Sequence, residues 1–293
     1  MLVSCLGDIM LDVLVDAPVG LVPDDDISAR ITITGGGQAA NVAAWVSALG
    51  GRARVFGPRT DSPVGRLVDQ MLSDAGIEVH GAVAVRQGAV MSLLTSGTRS
   101  LASDPGSSEW LAQVSHGPWL DDADWLFVSG YALLRSADPH RIVELAGVAR
   151  GGGSRIAVDL SSASMIREYG ADRFRRLWQA LQPAVIFANH DEWAATSTSP
   201  TADAPTPNSS GAGGTSVLVL KQGEKGATFV IDGIGDHRAP VAGPVRDVTG
   251  AGDALCAGYL VGGVDLAMTT AARCVSQVGA QPVDASNANS AAR

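Results

Sequence analysis

Short apolar runs alternate with helical patterns along most of the chain, and this alternation restricts the fold more than any other feature of the sequence. The runs predicted as strands are 2–6, 53–56, 125–128, 155–159, 184–188, 217–220 and 228–231. The most regular helical patterns are 39–49, and 139–150 with Asp138 as its predicted cap. Strands that alternate with helices are typical of a mostly parallel sheet covered on both faces. We therefore predict a doubly wound α/β fold.

Residues 27–34 interrupt this rhythm, because apolar and polar side chains alternate strictly along them. Such alternation predicts a half-buried antiparallel strand. We expect it to pair with 11–16 in a small sheet beside a glycine-rich loop, with 86–103 as a candidate for further strands. This sheet could act as a lid over a ligand, although an ordinary edge hairpin would give the same pattern.

The chain is interpreted as one domain over 1–283, followed by a disordered tail over 284–293. The segment 196–215 is rich in Ser, Thr, Pro and Gly and lacks apolar periodicity. That composition predicts a mobile surface loop inside the domain.

Charge, cysteine usage and hydropathy argue against several classes of protein. The net charge of −9 disfavours nucleic-acid binding, which needs a positive surface, but it is compatible with a local nucleotide site. The three cysteines are widely spaced and are expected to be reduced, and the five histidines lack the spacing of metal ligands. We recognise no leader and expect no apolar segment to approach the roughly 20 residues that span a bilayer. A soluble, cytoplasmic protein with no membrane partner is predicted.

The segment 247–254 reads Asp-Val-Thr-Gly-Ala-Gly-Asp-Ala. Gly250, Ala251 and Gly252 lie at the predicted start of a helix, where unpaired N–H groups can cradle a phosphate. Asp253 follows and is placed to orient or deprotonate an attacking hydroxyl. Because a helix N-terminus favours a carboxylate, we expect Asp253 to have a low pKa. An ordinary capped helix is the alternative interpretation.

Two clusters near the N-terminus carry side chains suited to a polar ligand. Asp12 follows the first strand and is a candidate to accept hydrogen bonds from substrate hydroxyls, with a turn aspartate as the alternative. Gly36 and Gly37 permit close approach of a ligand. Gln38 and Asn41 offer amides that bind sugar hydroxyls as donors and acceptors. The glycine spacing is not that of a dinucleotide fingerprint.

Two further clusters follow predicted strands in the second half of the chain. Asn189 and Glu192 are three residues apart, a spacing that suits either the water shell of magnesium or a capping box. Lys221 could neutralise phosphate charge, and Gly223 and Gly226 could admit a nucleotide, although a solvated turn would look the same. The chain has no P-loop motif.

Taken in order, these clusters resemble the ribokinase, or PfkB, family of carbohydrate kinases, and the resemblance covers residues 2–282. Its most specific element is 247–253, which is close to the family's Asp-Thr-x-Gly-Ala-Gly-Asp. Gly-Gly-x-x-x-Asn at 36–41 and Asn-x-x-Glu at 189–192 follow in the family's order. The resemblance implies a ribokinase-like α/β domain with a small β-sheet lid. It also implies transfer of the γ-phosphate of ATP, with magnesium, to a hydroxyl of a sugar or sugar derivative.

The same resemblance implies roles for individual residues. Asp253 matches the family's catalytic base, and the family's anion hole is matched by Gly250, Ala251 and Gly252. Substrate contacts are implied for Asp12, Gly36, Gly37, Gln38 and Asn41. Nucleotide contacts are implied for Asn189, Lys221, Gly223 and Gly226. Glu192 would hold magnesium through water, and Asp247 matches a site for a monovalent cation such as potassium.

Departures from the family pattern leave alternatives open. Ribokinases carry Lys at the position of Gln38 and Asn at that of Met10, which argues against ribose as the substrate. A nucleoside kinase with a pseudouridine-like substrate is the alternative within the family. A sugar-binding regulatory protein with weakened turnover is the alternative of another class, because the region after Tyr259 is short. As in ribokinase relatives, a homodimer through the lid is expected.

Overall fold

The computed structural model describes residues 1–95, 98–196 and 217–283. The surface loop predicted over 196–215, apart from Thr196, lies outside the described residues, as does the tail predicted over 284–293. The described chain forms two sheets, one of nine strands and one of four.

The larger sheet contains all seven strands predicted from apolar runs. Its strands are β1 (Leu2–Leu6), β4 (Arg52–Arg59), β5 (Ile77–Val83), β8 (Trp125–Ser129), β9 (Arg155–Asp159), β10 (Val185–Asn189), β11 (Val217–Lys221), β12 (Ala227–Ile231) and β13 (Ile234–Arg238). Their order is β13-β12-β11-β10-β9-β8-β1-β4-β5. Neighbours pair in parallel except β11 with β12 and β12 with β13, which are antiparallel. The predicted mostly parallel sheet is confirmed.

Helices cover both faces of this sheet. They are α1 (Gln38–Ala48), α2 (Pro63–Asp74), α3 (Gly130–Arg135), α4 (His140–Gly151), α5 (Ala163–Tyr169), α6 (Ala171–Ala180), α7 (His190–Ala195) and α8 (Ala251–Val275). One core contains α1 and α8 with Val3 and Cys5 of β1, whereas Leu6 of β1 belongs to a second core with α3, α4 and α6. The prediction that Asp138 caps α4 is wrong, because the N-cap position is Pro139 and no side chain caps it.

The smaller sheet consists of β2 (Met10–Ala17), β3 (Arg30–Gly36), β6 (Gly88–Thr95) and β7 (Thr98–Asp104), in the order β3-β2-β6-β7. β2 and β3 are antiparallel, and Val13 lies opposite Ile33. The expectation that the alternating strand is half-buried is wrong for β3 within one chain, since Ile31 is 62% and Ile33 45% exposed. The other face of β2 carries buried Leu14, which lies close to Gly279 of the main body.

Helix α8 is long and apolar. By length and composition alone it could cross a membrane, so the expectation that no segment would be long and apolar enough is wrong. Half of its most apolar stretch is buried inside the protein, and core helices of soluble proteins have the same length and composition. Non-helical backbone angles at Gly262 and Gly263 also interrupt α8. We interpret α8 as a core helix that packs on α1.

Candidate active site

Four neighbouring strands of the larger sheet each end in a polar residue at the carboxyl edge. Ser129 ends β8, Asp159 ends β9, Asn189 ends β10 and Lys221 ends β11. The strand register places Ser129 opposite Asp159 and Asn189 opposite Lys221. Ligands of open α/β sheets bind at this edge. The fold therefore brings together residues that are far apart in sequence.

Asp253 lies in the first turn of α8, next to helix α1. Its Oδ2 accepts a hydrogen bond of 2.9 Å from Nδ2 of Asn41. Burial raises the pKa of Asp253 to about 7, and the hydrogen bond from Asn41 opposes that rise. The expectation of a low pKa is wrong, because desolvation of the carboxylate outweighs the favourable field of the helix N-terminus. A carboxylate with this pKa can exchange a proton near neutral pH.

The loop before Asp253 has a backbone that only glycine adopts easily. Gly250 has φ of +73°, in the left-handed region, and a Cβ there would lie 2.6 Å from Ala280. A Cβ on Gly252 would lie 3.5 Å from Nζ of Lys221. N–H groups in the first turn of a helix have no partner four residues before them. The start of α8 and the Lys221 ammonium therefore line one small space suited to an anion.

Two carboxylates hold the side chain of Lys221. Its Nζ lies 2.5 Å from Oδ2 of Asp159 and 3.9 Å from Oε2 of Glu192. Burial opposes the charged amine, but the two carboxylates outweigh it and raise the pKa of Lys221 above its usual value. Asp159 is fully buried, and the sequence analysis missed it. Its place at the end of an apolar strand was the signal that could have identified it.

Asn189 and Glu192 form a complete capping box at the start of α7. Glu192 donates its N–H to Oδ1 of Asn189, and the two Glu192 oxygens accept from the N–H and Nδ2 of Asn189, each at 2.8 Å. Burial raises the pKa of Glu192. Among the described residues no group of three or more His, Cys, Asp or Glu could hold a metal ion. A direct metal cage does not fit, whereas a water-mediated contact fits because each Glu192 oxygen retains a lone pair.

At this site, two buried acceptors have no protein hydrogen-bond partner among the described residues. They are Oδ1 of Asp12 and Oδ1 of Asn41. Burial raises the pKa of Asp12 to about 7. A Cβ on Gly36 would lie 2.1 Å from Oδ2 of Asp12, so glycine is required for the observed position of this carboxylate. A buried polar atom without a partner costs about 1–3 kcal/mol, which a ligand with hydrogen-bond donors would offset.

Two serines fix the side chain of Gln38. Its Oε1 accepts hydrogen bonds from Oγ of Ser129 and, at 2.7 Å, from Oγ of Ser161. Gly37 precedes it with φ of +94°, and a Cβ there would lie 2.4 Å from the carbonyl oxygen of Asp8. The sequence analysis missed both serines, since nothing in their local sequence indicates contact with Gln38.

The two glycines predicted on the nucleotide side differ in their surroundings. Gly223 and Gly226 flank a single turn after β11 and have φ of +59° and +90°. No atom lies within 4 Å of a Cβ built on Gly223, so the space beside it is open. A Cβ on Gly226 would lie 2.0 Å from the carbonyl oxygen of Arg238. Gly226 is therefore explained by close packing against the end of β13.

The carboxylate of Asp247 connects the loop before α8 with the chain after it. Its Oδ1 accepts from the N–H and hydroxyl of Thr249, and its Oδ2 accepts from the N–H of Gly279 at 2.9 Å. The Thr249 hydroxyl also contacts Nη1 of Arg99, which lies in β7. The smaller sheet therefore contacts the glycine-rich loop directly, a link that the sequence did not indicate.

Comparison with known proteins gives matches over the whole chain. A family model described as pfkB family carbohydrate kinase matches residues 2–293. The bifunctional protein HldE of Halorhodospira halophila is 30% identical over 289 residues, which cover 90% of this chain and 56% of that protein. This chain therefore spans only about half the length of that relative. A fructokinase of Escherichia coli is 29% identical over 266 residues, which cover 85% of this chain and 83% of that protein.

The fold has solved counterparts. The crystal structure of adenosine kinase from Sinorhizobium meliloti superposes with a TM-score of 0.79, covering 99% of this chain and 98% of that one. The two chains are 22% identical, so this likeness establishes the fold.

Proposed function

The chain belongs to the pfkB family of carbohydrate kinases, and we propose that it transfers the γ-phosphate of ATP to a hydroxyl of a sugar or sugar derivative. One observation carries the choice of acceptor. The unpartnered oxygens of Asp12 and Asn41 are buried, and Asn41 touches the carboxylate of Asp253. A ligand with several hydroxyls would donate to both oxygens and leave one hydroxyl for Asp253.

Asp253 is the proposed base. The acceptor oxygen forms a bond to the γ-phosphorus as the bond from that phosphorus to the bridging oxygen of ATP breaks. The hydroxyl proton moves to Asp253, and ADP leaves. Because such transition states are loose, positioning and charge stabilisation matter more than early removal of the proton. A pKa of about 7 leaves Asp253 ready to accept the proton at neutral pH.

The start of α8 is the proposed anion hole. Gly250, Ala251 and Gly252 would surround the transferred phosphoryl group, and the Lys221 ammonium beside Gly252 would neutralise part of its charge. Gln38, with Gly36 and Gly37 before it, would contact the acceptor. Asn189 at the end of β10 is proposed on the nucleotide side, as are Gly223 and Gly226 in the turn between β11 and β12, where Gly226 would shape the turn through its packing against Arg238.

Two cations belong to the proposal. Glu192 would hold magnesium through water, and the metal would neutralise phosphate charge during transfer. Three donors occupy the Asp247 carboxylate, and a carboxylate accepts about four hydrogen bonds, so one lone pair remains for a monovalent cation such as potassium. Turnover in potassium chloride, compared with tetramethylammonium chloride at equal ionic strength, tests the second site.

Release of ADP from ATP with magnesium tests the proposed function. The acceptors are D-fructose, D-gluconate, adenosine and pseudouridine, each compared with a reaction that lacks an acceptor. We expect ADP with D-fructose or D-gluconate and none above background with the nucleosides. Turnover of a nucleoside but of neither sugar compound would favour the nucleoside kinase. The ribose of a nucleoside would offer similar hydroxyls to Asp12 and Asn41. Binding of a sugar without ADP release would favour the regulatory protein.

A homodimer through the small sheet is also proposed. Ile31, Ile33 and Met91 are exposed on one face of that sheet, where Met91 and Ile33 both neighbour Val13. A second copy would cover this apolar face. We expect a dimeric mass at micromolar concentration that Ile33→Asp reduces to a monomer, whereas Val148→Asp, an exposed apolar position on α4, leaves the dimer intact. A monomeric wild type would contradict the proposal.

A cytoplasmic location is proposed on the reduced cysteines alone.

A further inference from the structure

Asp159 is the most buried carboxylate at the carboxyl edge of the larger sheet, and none of the proposed steps uses it. Its side chain has no solvent exposure. Its Oδ2 accepts from Nζ of Lys221 at 2.5 Å, and its Oδ1 accepts from the N–H of Ser161 at 2.9 Å. The two oxygens of one carboxylate therefore bond to partners that face different parts of the site.

The first partner lies on the side of the anion hole. The Lys221 ammonium stands beside Gly252, and Asp159 is its nearest carboxylate. Glu192, at 3.9 Å, is beyond direct hydrogen-bond distance and is already bonded to Asn189. Lysine side chains have many rotamers, so a fixed carboxylate is needed to hold the ammonium in one position.

The second partner lies on the side of the acceptor. Ser161 has φ of +70°, a left-handed conformation that residues other than glycine rarely adopt. The bond from its N–H to Asp159 closes this turn, and the turn directs Oγ of Ser161 to Oε1 of Gln38 at 2.7 Å. A strained residue of this kind persists only where its surroundings hold it. Within this turn Ser161 bonds to Asp159 twice, through its N–H to Oδ1 and through its Oγ to the carbonyl oxygen.

We propose that Asp159 is a positioning residue that fixes Lys221 on the phosphate side and, through Ser161, Gln38 on the acceptor side. This inference rests on the proposed function, because it assigns a phosphate to the first side and an acceptor to the second. One buried carboxylate thereby sets the geometry of both substrates relative to each other. An amide at this position would keep the size of the side chain but would turn one donor toward the Lys221 ammonium or the Ser161 N–H.

Two double-mutant cycles test the proposal, with kcat and the KM values for ATP and for the most active acceptor of the panel measured in each variant. The variants are Asp159→Asn, Lys221→Met, Ser161→Ala and the two doubles that contain Asp159→Asn. We expect Lys221→Met to lower kcat and raise the KM for ATP, and Ser161→Ala to raise the KM for the acceptor. Asp159→Asn should lower kcat and raise the KM values for both ATP and the acceptor. Its effect should shrink by on the order of tenfold in each partner background, since the Lys221 ammonium or the Ser161 hydroxyl that Asp159 positions is then already absent.

A merely structural role gives a different result. It would lower the active fraction, leave both KM values unchanged and act equally in every background, and such additive cycles would overturn the proposal. The matched control is Asp69→Asn, which removes a carboxylate on α2 that pairs with Arg59 at the end of β4. This variant should change kcat and KM by less than about twofold.

Two further measurements separate this proposal from its premises. Asp159→Asn removes the nearer carboxylate from a buried ammonium, leaves only Glu192 at 3.9 Å as its ion-pair partner among the described residues, and can unfold the chain. The double with Lys221→Met removes that charge and should restore a cooperative melt. Calorimetric titration with ATP and magnesium needs no turnover: Asp159→Asn and Lys221→Met should weaken binding by similar factors, and Ser161→Ala should not. If the wild type turns over no acceptor, the proposed function fails. The inference itself is overturned if Asp159→Asn and Lys221→Met weaken the binding of ATP by clearly different factors.

Discussion

The side-chain amide of Asn41 donates to the carboxylate of Asp253 at 2.9 Å, although 212 residues separate the two along the chain. Asn41 lies in α1 and Asp253 in the first turn of α8, and the two helices share one core. Helix packing therefore fixes the proposed base relative to the unpartnered Oδ1 of Asn41.

Asp253→Asn removes the proposed base while keeping the shape of the side chain. We expect kcat to fall at least about a thousandfold, because a positioned group at the reacting oxygen is lost, while binding of ATP and acceptor stays within a few-fold. Steady-state kinetics and calorimetry measure the two effects. Asp265→Asn, on the same helix but exposed, is the control and should be as active as the wild type. Near-normal turnover of Asp253→Asn would show that another group takes the proton.

The pH dependence of the wild type should reflect the raised pKa of Asp253. The carboxylate is the active form, so kcat/KM should rise with pH and level off above an apparent pKa near 7. The Asn41 hydrogen bond lowers this pKa, and Asn41→Ala should therefore move the acid limb to higher pH. A pH–rate profile of both proteins is the measurement. An acid limb that stays in place would mean that Asp253 does not control it.

The residues at strand ends and in the glycine-rich loop were predictable because both features are local. Lys221 and Asp253 were proposed in this way, and they lie at the end of β11 and in the first turn of α8; Asp12 was proposed because it follows the first strand, and it lies inside β2. Asp159 and Ser161 were not, since their importance comes from contacts across strands that only the folded chain brings together. The shift in the pKa of Asp253 was predicted in the wrong direction, because the sequence shows the helix N-terminus but not the burial of the carboxylate.

Asp12 should make stability depend on pH. Burial raises its pKa to about 7 in the folded state, above the value of about 3.9 in an unfolded chain. The folded protein then binds more protons between these values, so the contribution is fully present below about pH 4 and is lost as pH rises through 7. Asp12→Asn should melt about 2–6 °C higher than the wild type at pH 8.

The same comparison at pH 4 is the control for Asp12. There the carboxyl is protonated in the folded state and about half protonated in the unfolded chain, so most of the advantage of Asp12→Asn should disappear. Thermal melts by circular dichroism at both pH values give the result. An equal advantage at pH 4 and pH 8 would point to packing beside Gly36 rather than to the charge.

Gly250 and Gly263 separate backbone strain from steric overlap within the same helix region. Both have positive φ, +73° and +77°, but a Cβ on Gly250 would lie 2.6 Å from Ala280, whereas nothing lies within 4 Å of one on Gly263. Gly263 combines its positive φ with ψ of −158°, a region that is essentially restricted to glycine, so Gly263→Ala should lower the free energy of unfolding by about 1–3 kcal/mol through the backbone alone. Gly250→Ala adds overlap with the backbone and should lower it by about 2–5 kcal/mol. Urea denaturation measures both, and a loss of only about 1–2 kcal/mol for Gly250→Ala, the strain of the left-handed region alone, would mean that the chain around Ala280 moves aside without cost.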